Sequence, residues 1–489
     1  MNIPPDLALA IQRGKTDLPY FAKELLGMPM HKGQKKFAAN SCEKVNILIP
    51  GNRWGKSVYL ALRHIWANFY KQGVVSRNSD SWAKTNYLTL NLGPKLENAK
   101  VVADYVEQIL KSSFPIRQDD GSEKSNRCLL EWFLLGRDTA PQIQLHFANN
   151  SHLLIRSTRD DKGSSIQGKK FGYASYDECS RSLHLEMEVK ANILPRLTDF
   201  NGKLDLASTP DAAGGASLVY FQEIFWKGGG EGHAKSQGFY SQEGSVYENE
   251  FLDKASILEL ERTLAGDPLA EQILHGKFVI TGDVVFPVTE INKAKRDMPE
   301  TIHYKTGHEY IIGCDTAMAS DEFCFTVVDV SVEPFEVVRF SSRKGNSDAP
   351  EMHLQNLIDV FDEYNKEYQC TLWLETFNGE AGMWYSMLPD HIKSQTKLFG
   401  SWRPPGVSKH QVDKKEKIML SLRKLLSEEK IIFSRNHKKI INQLAIYTMN
   451  KSREKNLKTD AVFATALAAY GATDGKPAID EIQFIETEW

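Results

Sequence analysis

Two α/β domains in tandem are what this sequence predicts, the first built on a mostly parallel sheet. Three observations lead there. Across residues 44–210 short apolar runs alternate with helical periodicity (45–49, 57–70, 87–92, 96–110), the pattern of a sheet crossed by helices. A glycine-bearing loop separates the first run from the first helix, and a fresh strand pattern starts near Tyr310. At 489 residues the chain is too long for one ordinary core, so two large domains are expected. Their boundaries are expected at 1–295, including a closing subdomain, and at 300–472, with an acidic tail over 473–489.

Composition narrows the class. With 41% hydrophobic and 25% charged residues, the chain is neither fibrous nor largely disordered. Basic and acidic residues, 60 and 63, nearly cancel, so net charge alone does not announce nucleic acid. Locally they separate: residues 409–458 favour Lys and Arg, whereas the tail carries Asp474, Asp480, Glu481, Glu486 and Glu488 against Lys476 alone. Six cysteines without a C-x-x-C pair argue against a disulfide framework or a zinc site and fit a reducing compartment. The first fifteen residues lack a signal-peptide pattern, and no apolar run approaches the ~18–20 residues of a membrane span, so a soluble, intracellular protein is expected. No fixed-period repeat is visible.

The first chemical motif follows the strand 45–49. Pro50-Gly51-Asn52-Arg53-Trp54-Gly55-Lys56-Ser57 leads into a helix with apolar Val58, Ala61, Leu62, Ile65, Trp66 and Phe69. Strand, glycine loop and helix form a phosphate cradle: loop amides and the positive helix end hold phosphate oxygens, Lys56 reaches the outer phosphates, and Ser57 coordinates magnesium. Pro50 stands where the strict pattern has glycine. Arg53 is a further phosphate contact or a solvated arginine. A second element is expected at the end of strand 171–177, where Asp177 would hold Mg²⁺ indirectly and Glu178 would polarise the attacking water. The strand 203–207 ends in Ser208-Thr209-Pro210, placed to sense a γ-phosphate or to cap a helix. Upstream, Gln34 could bond both edges of adenine and so favour ATP.

The second set is acidic. Strand 310–315 ends in Asp315, strand 323–330 follows as its hairpin partner across the turn 318–322, and strand 371–374 ends in Glu375. Asp460 opens an alanine-rich helix over 461–470. Each acid has a plain alternative as a strand-end cap or a helix-terminus charge. Together, three such acids can converge and offer hard oxygen ligands to Mg²⁺ or Mn²⁺ for phosphodiester cleavage. Asp321 is a candidate accessory ligand. Lys409, Lys414, Lys415 and Lys417 fall between the second and third acids, where they would neutralise phosphates or form a solvated helix face.

Taken together the chain resembles the large terminase subunit of tailed bacteriophages over most of its length. The resemblance is carried by Gln34, the loop 51–57, Asp177-Glu178, Ser208-Thr209-Pro210, Gly276-Lys277-Phe278, Asp315, Leu374-Glu375-Thr376 with Asn378-Gly379, and Thr459-Asp460-Ala461. It implies an additional-strand P-loop ATPase followed by an RNase H-like nuclease. It further implies ATP and Mg²⁺ (or Mn²⁺ at the nuclease site) as cofactors, with translocation of double-stranded DNA into a procapsid and cutting of the concatemer. Partners implied are a portal ring, a small terminase subunit and further copies of the chain on the portal, in the host cytoplasm and transiently on the procapsid. Many relatives have another aspartate shortly before the last acid, where this chain has Asn456-Leu457-Lys458. Arg156, Arg159, Arg181 and Arg196 are all candidates for an arginine against the γ-phosphate. The rival reading is an ATP-gated DNA-binding assembly factor whose second domain is a catalytically silent docking module.

Overall fold

The structure is a computed structural model. It describes residues 4–73, 86–118, 120–140, 142–158, 166–210, 216–265, 267, 269–279, 285–316, 322–344, 350–377, 381–402, 415–447 and 459–473. The chain divides into two compact units, Met1–Thr281 and Gly282–Trp489.

In the first unit, α1 (Lys32–Asn40) leads into β1 (Val45–Pro50), then α2 (Lys56–Tyr70), β2 (Tyr87–Gly93) and α3 (Leu96–Leu110). Three strands follow as an antiparallel meander: β3 (Leu134–Asp138), β4 (Gln144–Phe147) and β5 (Ser151–Ser157). Then come β6 (Tyr173–Asp177), β7 (Lys203–Ala207), α4 (Ala216–Lys227), β8 (Phe239–Gly244), α5 (Lys254–Thr263) and α6 (Ala270–His275). They build one eight-stranded sheet in the order β8-β1-β7-β6-β2-β5-β4-β3. Six strands from β8 to β5 run parallel. β7 therefore lies between the strand that feeds the glycine loop and the strand that ends in Asp177. This inserted strand is the mark of an additional-strand P-loop fold, and the sequence-based α/β expectation holds.

Buried side chains pack against both faces of the sheet. One core collects Leu60, Ile65, Val102 and Ile109 from α2 and α3; the other collects Ile47, Leu206, Phe221 and Phe225. Burial is continuous along β1 and β6, as expected of strands covered on both faces, and the one polar residue of β1, Asn46, is bonded to Asp205 at 2.9 Å. The glycine run 228–232 does not connect domains. It turns the chain from α4 into β8, which pairs with β1 inside the same sheet. Of the segment 276–287, which the sequence suggests as a short closing hairpin, residues 276–279 are irregular, 280–284 lie outside the described residues, and 285–287 belong to the second unit.

The second unit contains α7 (Val288–Ala294), β9 (Lys295–Arg296), β10 (Tyr310–Asp315), β11 (Glu322–Asp329), β12 (Phe335–Lys344) and α8 (Pro350–Tyr364). It continues through β13 (Cys370–Thr376), β14 (Thr396–Gly400), α9 (Lys415–Ser427), β15 (Ile431–Ser434), α10 (Lys438–Ile446) and α11 (Asp460–Ala472). The sheet order is β9-β15-β12-β11-β10-β13-β14, with β10, β11 and β12 antiparallel and β13 and β14 parallel to β10. Three antiparallel strands extended by two parallel ones, with a helix across the central strand, is the RNase H-like arrangement. Residues 285–296, placed with the first domain on sequence, pack here because Ile291 and Ala294 are buried and β9 pairs with β15.

Helix α11 is buried on every side from Ala461 to Gly471, as its apolar sequence requires, with small residues where it meets β10. A Cβ on Gly313 would stand 2.2 Å from the Ala464 carbonyl oxygen and 2.4 Å from the Ala468 nitrogen, so helix and strand backbones meet directly. Thr465 adds a 3.0 Å hydroxyl contact to Thr326 of β11. At the other end, Gly471 and Tyr470 lie against Trp373. The helix thus runs antiparallel to β10 and brings Asp460 over the end that carries Asp315.

Candidate active sites

The candidate nucleotide site is assembled at the carboxyl ends of β1, β6 and β7. Pro50 closes β1, so its missing N–H falls where the ladder stops, and its carbonyl accepts the Thr209 hydroxyl at 2.9 Å. That placement accounts for a proline where the strict motif has glycine. The Gly51 N–H is donated to Gly244 O at 2.7 Å and the Asn52 N–H to Ile273 O at 2.7 Å, tying the loop to β8 and α6. Gly55 has φ of 95°, a left-handed value natural only to glycine, and it turns the chain into α2. Arg53 also has positive φ, 66°, and its exposed side chain borders two cavities.

Lys56 spans the acids. Its Nζ lies 3.1 Å from Asp177 Oδ1 and is hydrogen-bonded to Glu178 Oε1, while the Ser57 hydroxyl is donated to Asp177 Oδ2 at 2.8 Å. Burial disfavours the ammonium form, but Asp177 and Glu178 outweigh it and hold the Lys56 pKa above its usual value. Glu178 has φ of 56°, a left-handed turn that aims its carboxylate back across the strand ends. Buried Ser208 stands 3.5 Å from Glu178 Oε2 and 2.7 Å from Ser180 Oγ. Lys56, Ser57, Asp177, Glu178 and Ser208 are thus brought together. Gly51, Arg53, Gly55, Lys56, Ser57, Glu178 and Thr209 border a cavity of about 330 Å³.

A larger cavity, about 660 Å³, adjoins the same loop and is bordered by Gln34, Arg53, Gly55, Val58, Phe114, Ile116, Phe251 and Ile257, among others. Gln34 reaches it with its amide already engaged: Nε2 donates to Gly55 O at 3.0 Å and Oε1 accepts from His31 N at 3.2 Å. His31 Nδ1 accepts from Gly33 N, which leaves Nε2–H to donate to Trp54 O at 2.7 Å. Burial lowers the His31 pKa to about 4, so the ring is neutral at physiological pH. Asn249 donates to Arg53 O at 2.9 Å, and Trp54 Nε1 donates to Glu248 at 2.7 Å. Three successive loop carbonyls are therefore held by Asn249, His31 and Gln34. Sequence reasoning missed His31 and Asn249. The capping-box spacing His31-x-x-Gln34 was a visible signal for the first, and nothing local marks the second.

Of the arginine candidates, Arg156 is buried and donates to Ile155 O at 2.7 Å and Ile143 O at 3.3 Å, so it serves the β5 region. Arg181 is exposed three residues beyond Glu178, Arg196 is half-buried, and Arg159 lies outside the described residues.

The acid site rests on register. Asp315 is paired with Cys324 of β11, and Cys324 with Ser342 of β12, so the three side chains share one face. Cys314 pairs with Leu374 in the parallel partner, which sets Glu375 beside Asp315 on that same face. Glu375 is buried; its carboxylate accepts from Phe377 N at 2.6 Å and from the Thr316 hydroxyl at 3.5 Å. The Cys324 thiol is pushed up by burial and then by the charges of Asp315 and Asp460, so both acids lie within electrostatic reach of it. Gln443 of α10 accepts from Ala461 N at 2.8 Å and Val462 N at 3.1 Å, capping α11 just behind Asp460.

Lys415, at the start of α9, lies over Phe463 at 4.7 Å and Phe377 at 5.7 Å, one aromatic next to each acid-bearing segment. Lys417 is half-buried on the same helix. Lys409, Lys414, Asp321, Asn378, Gly379, Glu380, Asn456 and the tail from Asp474 lie outside the described residues. Among the described residues, no group of three carboxylate, histidine or cysteine side chains is close enough to hold an ion. Asp315, Glu375 and Asp460 fit hard cations in donor type and shared face, short of a closed cluster.

No family model and no curated protein matches the chain. The solved structures it is similar to are phage large terminases. The structure from the thermophilic bacteriophage D6E is 12% identical, with 91% of this chain and 99% of that one covered at a TM-score of 0.37. The HK97 large terminase is 10% identical, with 94% and 99% covered and a TM-score of 0.44. The Thermus phage P74-26 large terminase ATPase domain is 16% identical over 52% of this chain and 95% of that one, at 0.36. All six cysteines are free thiols, and among the described residues no helix is long and apolar enough to cross a membrane.

Proposed function

We propose that the chain is a DNA-packaging motor subunit that hydrolyses ATP to move double-stranded DNA into a procapsid and cuts concatemeric DNA with its second unit. The observation that carries the reading is the meeting of Lys56, Ser57, Asp177, Glu178 and Ser208 at three adjacent strand ends. Magnesium with ATP would supply the activated phosphoanhydride, held by the loop amides, Lys56, Ser57 and Asp177. Glu178 would orient the attacking water and take its proton, and Ser208 with Thr209 would report the outcome to neighbouring segments. The base would lie in the adjoining apolar cavity against Phe114, Ile116, Phe251 and Ile257, beside Gln34.

For the second unit, Asp315, Glu375 and Asp460 would hold Mg²⁺ or Mn²⁺, which supply an activated water and neutralise the leaving oxygen. Lys415 would meet the DNA backbone at the rim. Portal ring, small terminase subunit, oligomerisation on the portal, and location in the host cytoplasm and on the procapsid belong to this reading through the sequence resemblance. The rival is an ATP-gated DNA-binding assembly factor with a silent second unit; among the described residues the three acids do not form a closed cluster. Plasmid incubated with the chain in Mn²⁺ or Mg²⁺, against the same mixture with chelator, separates them. Chelator-sensitive nicking or linearisation is expected; intact plasmid in both metals would leave the rival standing.

A further inference from the structure

Lys439 is a cation fixed at the acid face by a buried carboxylate. Glu322 is buried, with its side chain 7% exposed, and it is bonded to Lys439 Nζ and to Ser342 Oγ, the latter at 2.8 Å; Lys439 Nζ also donates to Ser342 Oγ at 2.6 Å. Ser342, Cys324 and Asp315 stand side by side on three adjacent strands, so Ser342 is two strand spacings, about 10 Å, from Asp315. From the helix side the same place is reached through α10. Lys439 is one turn before Gln443, on the same face, and Gln443 caps α11 just behind Asp460. Strand register and helix face, two independent routes, set Lys439 beside the acids, with 35% of its side chain exposed.

A buried pair of this kind is a poor stabiliser, because desolvating both charges offsets most of their attraction. What it does is fix where the ammonium stands. A surface lysine loses rotamer freedom when it meets a ligand, and Glu322 and Ser342 impose that ordering in advance. A nucleic-acid strand crossing the acid face presents singly charged phosphates along its backbone, and a fixed ammonium at the rim is suited to them as a point charge.

We infer that Lys439 is a phosphate contact of the acid site, held by Glu322 and Ser342 against the DNA strand that is to be cut. This rests on the nuclease reading above. Lys439 is a positioning residue there: it sets the strand over the acids and takes no part in proton transfer.

The test uses the full chain and a blunt duplex of defined length, comparing wild type, Lys439→Gln and Lys439→Arg. Glutamine keeps hydrogen bonds to Glu322 and Ser342 while removing the charge. The plot of log affinity against log salt should lose about one unit of slope in Lys439→Gln and keep its slope in Lys439→Arg. Plasmid cutting in Mn²⁺ should show a raised KM for DNA in Lys439→Gln, with the half-saturating Mn²⁺ concentration no higher than in wild type. A structural role alone would lower the melting temperature and leave the salt slope intact. Should Lys439→Gln fail to fold, Glu322→Gln with Lys439→Gln removes both charges together and is read the same way. A wild-type slope and KM in the neutral variants would overturn the inference while cutting by wild type keeps the nuclease reading; absence of cutting by wild type would remove both.

Discussion

At the residue scale, the glycine loop is held in shape by side chains from outside it, His31, Gln34 and Asn249. His31 is kept neutral first by burial, against the opposing pull of its bond to Trp54 O; Nδ1 accepts from Gly33 N, so protonation would put a donor where an acceptor is needed. Its pKa in the fold, about 4, lies below the ordinary value of 6.5. Between those values the unfolded chain binds the proton and the folded one resists it, so stability is full above pH 6.5 and falls as pH drops toward 4. Melting temperature measured from pH 7.5 to 4.5 should decline on the acid side, and His31→Asn, which keeps an acceptor without titrating, should flatten part of that decline. Equal slopes for both proteins would assign the acid sensitivity elsewhere, for instance to buried His64, whose pKa is lowered to about 3. The sequence showed Lys56, Ser57, Asp177 and Glu178 because each sits at a motif position. It did not show that the Gln34 amide is engaged by Gly55 and His31, since spacing says nothing of which way an amide turns. Gln34→Ala should therefore weaken ATP and GTP to similar degrees; loss of adenine preference alone would return Gln34 to reading the base.

At the element scale, the legible segments were those whose period and boundary residues agree. β10 ends at Asp315 and β7 spans 203–207 as the sequence suggests, and α3 runs from Leu96 to Leu110. β8 was not legible, because Phe239–Gly244 mixes aromatic and polar residues and owes its place to pairing with β1. Nor was the segment 285–296, whose few apolar residues find their core in the second unit. The crossing of α11 over β10 depends on small residues at the contact. Gly313→Val would push side-chain atoms into the Ala464 carbonyl, and overpacking of this kind costs about 1–3 kcal/mol or more. Denaturant melts of the chain should show the second transition destabilised and the first unchanged; an unaltered second transition would mean that helix and strand can separate freely.

At the scale of the whole molecule, two sheets of different construction carry the two candidate sites, and both were proposed on sequence from residues at strand ends. Such residues point to a site because ligand-binding side chains in open α/β sheets gather at the carboxyl ends of strands, where a strand's last residue is also its most informative. Asp177, the last residue of β6, illustrates this, and Glu375 stands one residue before the end of β13; Glu322, at the beginning of β11, escaped notice because it reads as part of a turn. Since the candidate nucleotide residues all lie in Met1–Thr281 and the candidate acids all lie in Gly282–Trp489, single substitutions should separate the two proposed activities. The most direct measurement assays ATPase turnover and Mn²⁺-dependent plasmid cutting side by side in wild type, Glu178→Gln and Asp315→Asn. Glu178→Gln should lose ATPase by about 10²–10⁴-fold, the range for removing a general base, and still cut plasmid. Asp315→Asn should hydrolyse ATP and leave plasmid intact. Undiminished cutting by Asp315→Asn, or undiminished turnover by Glu178→Gln, would contradict the account.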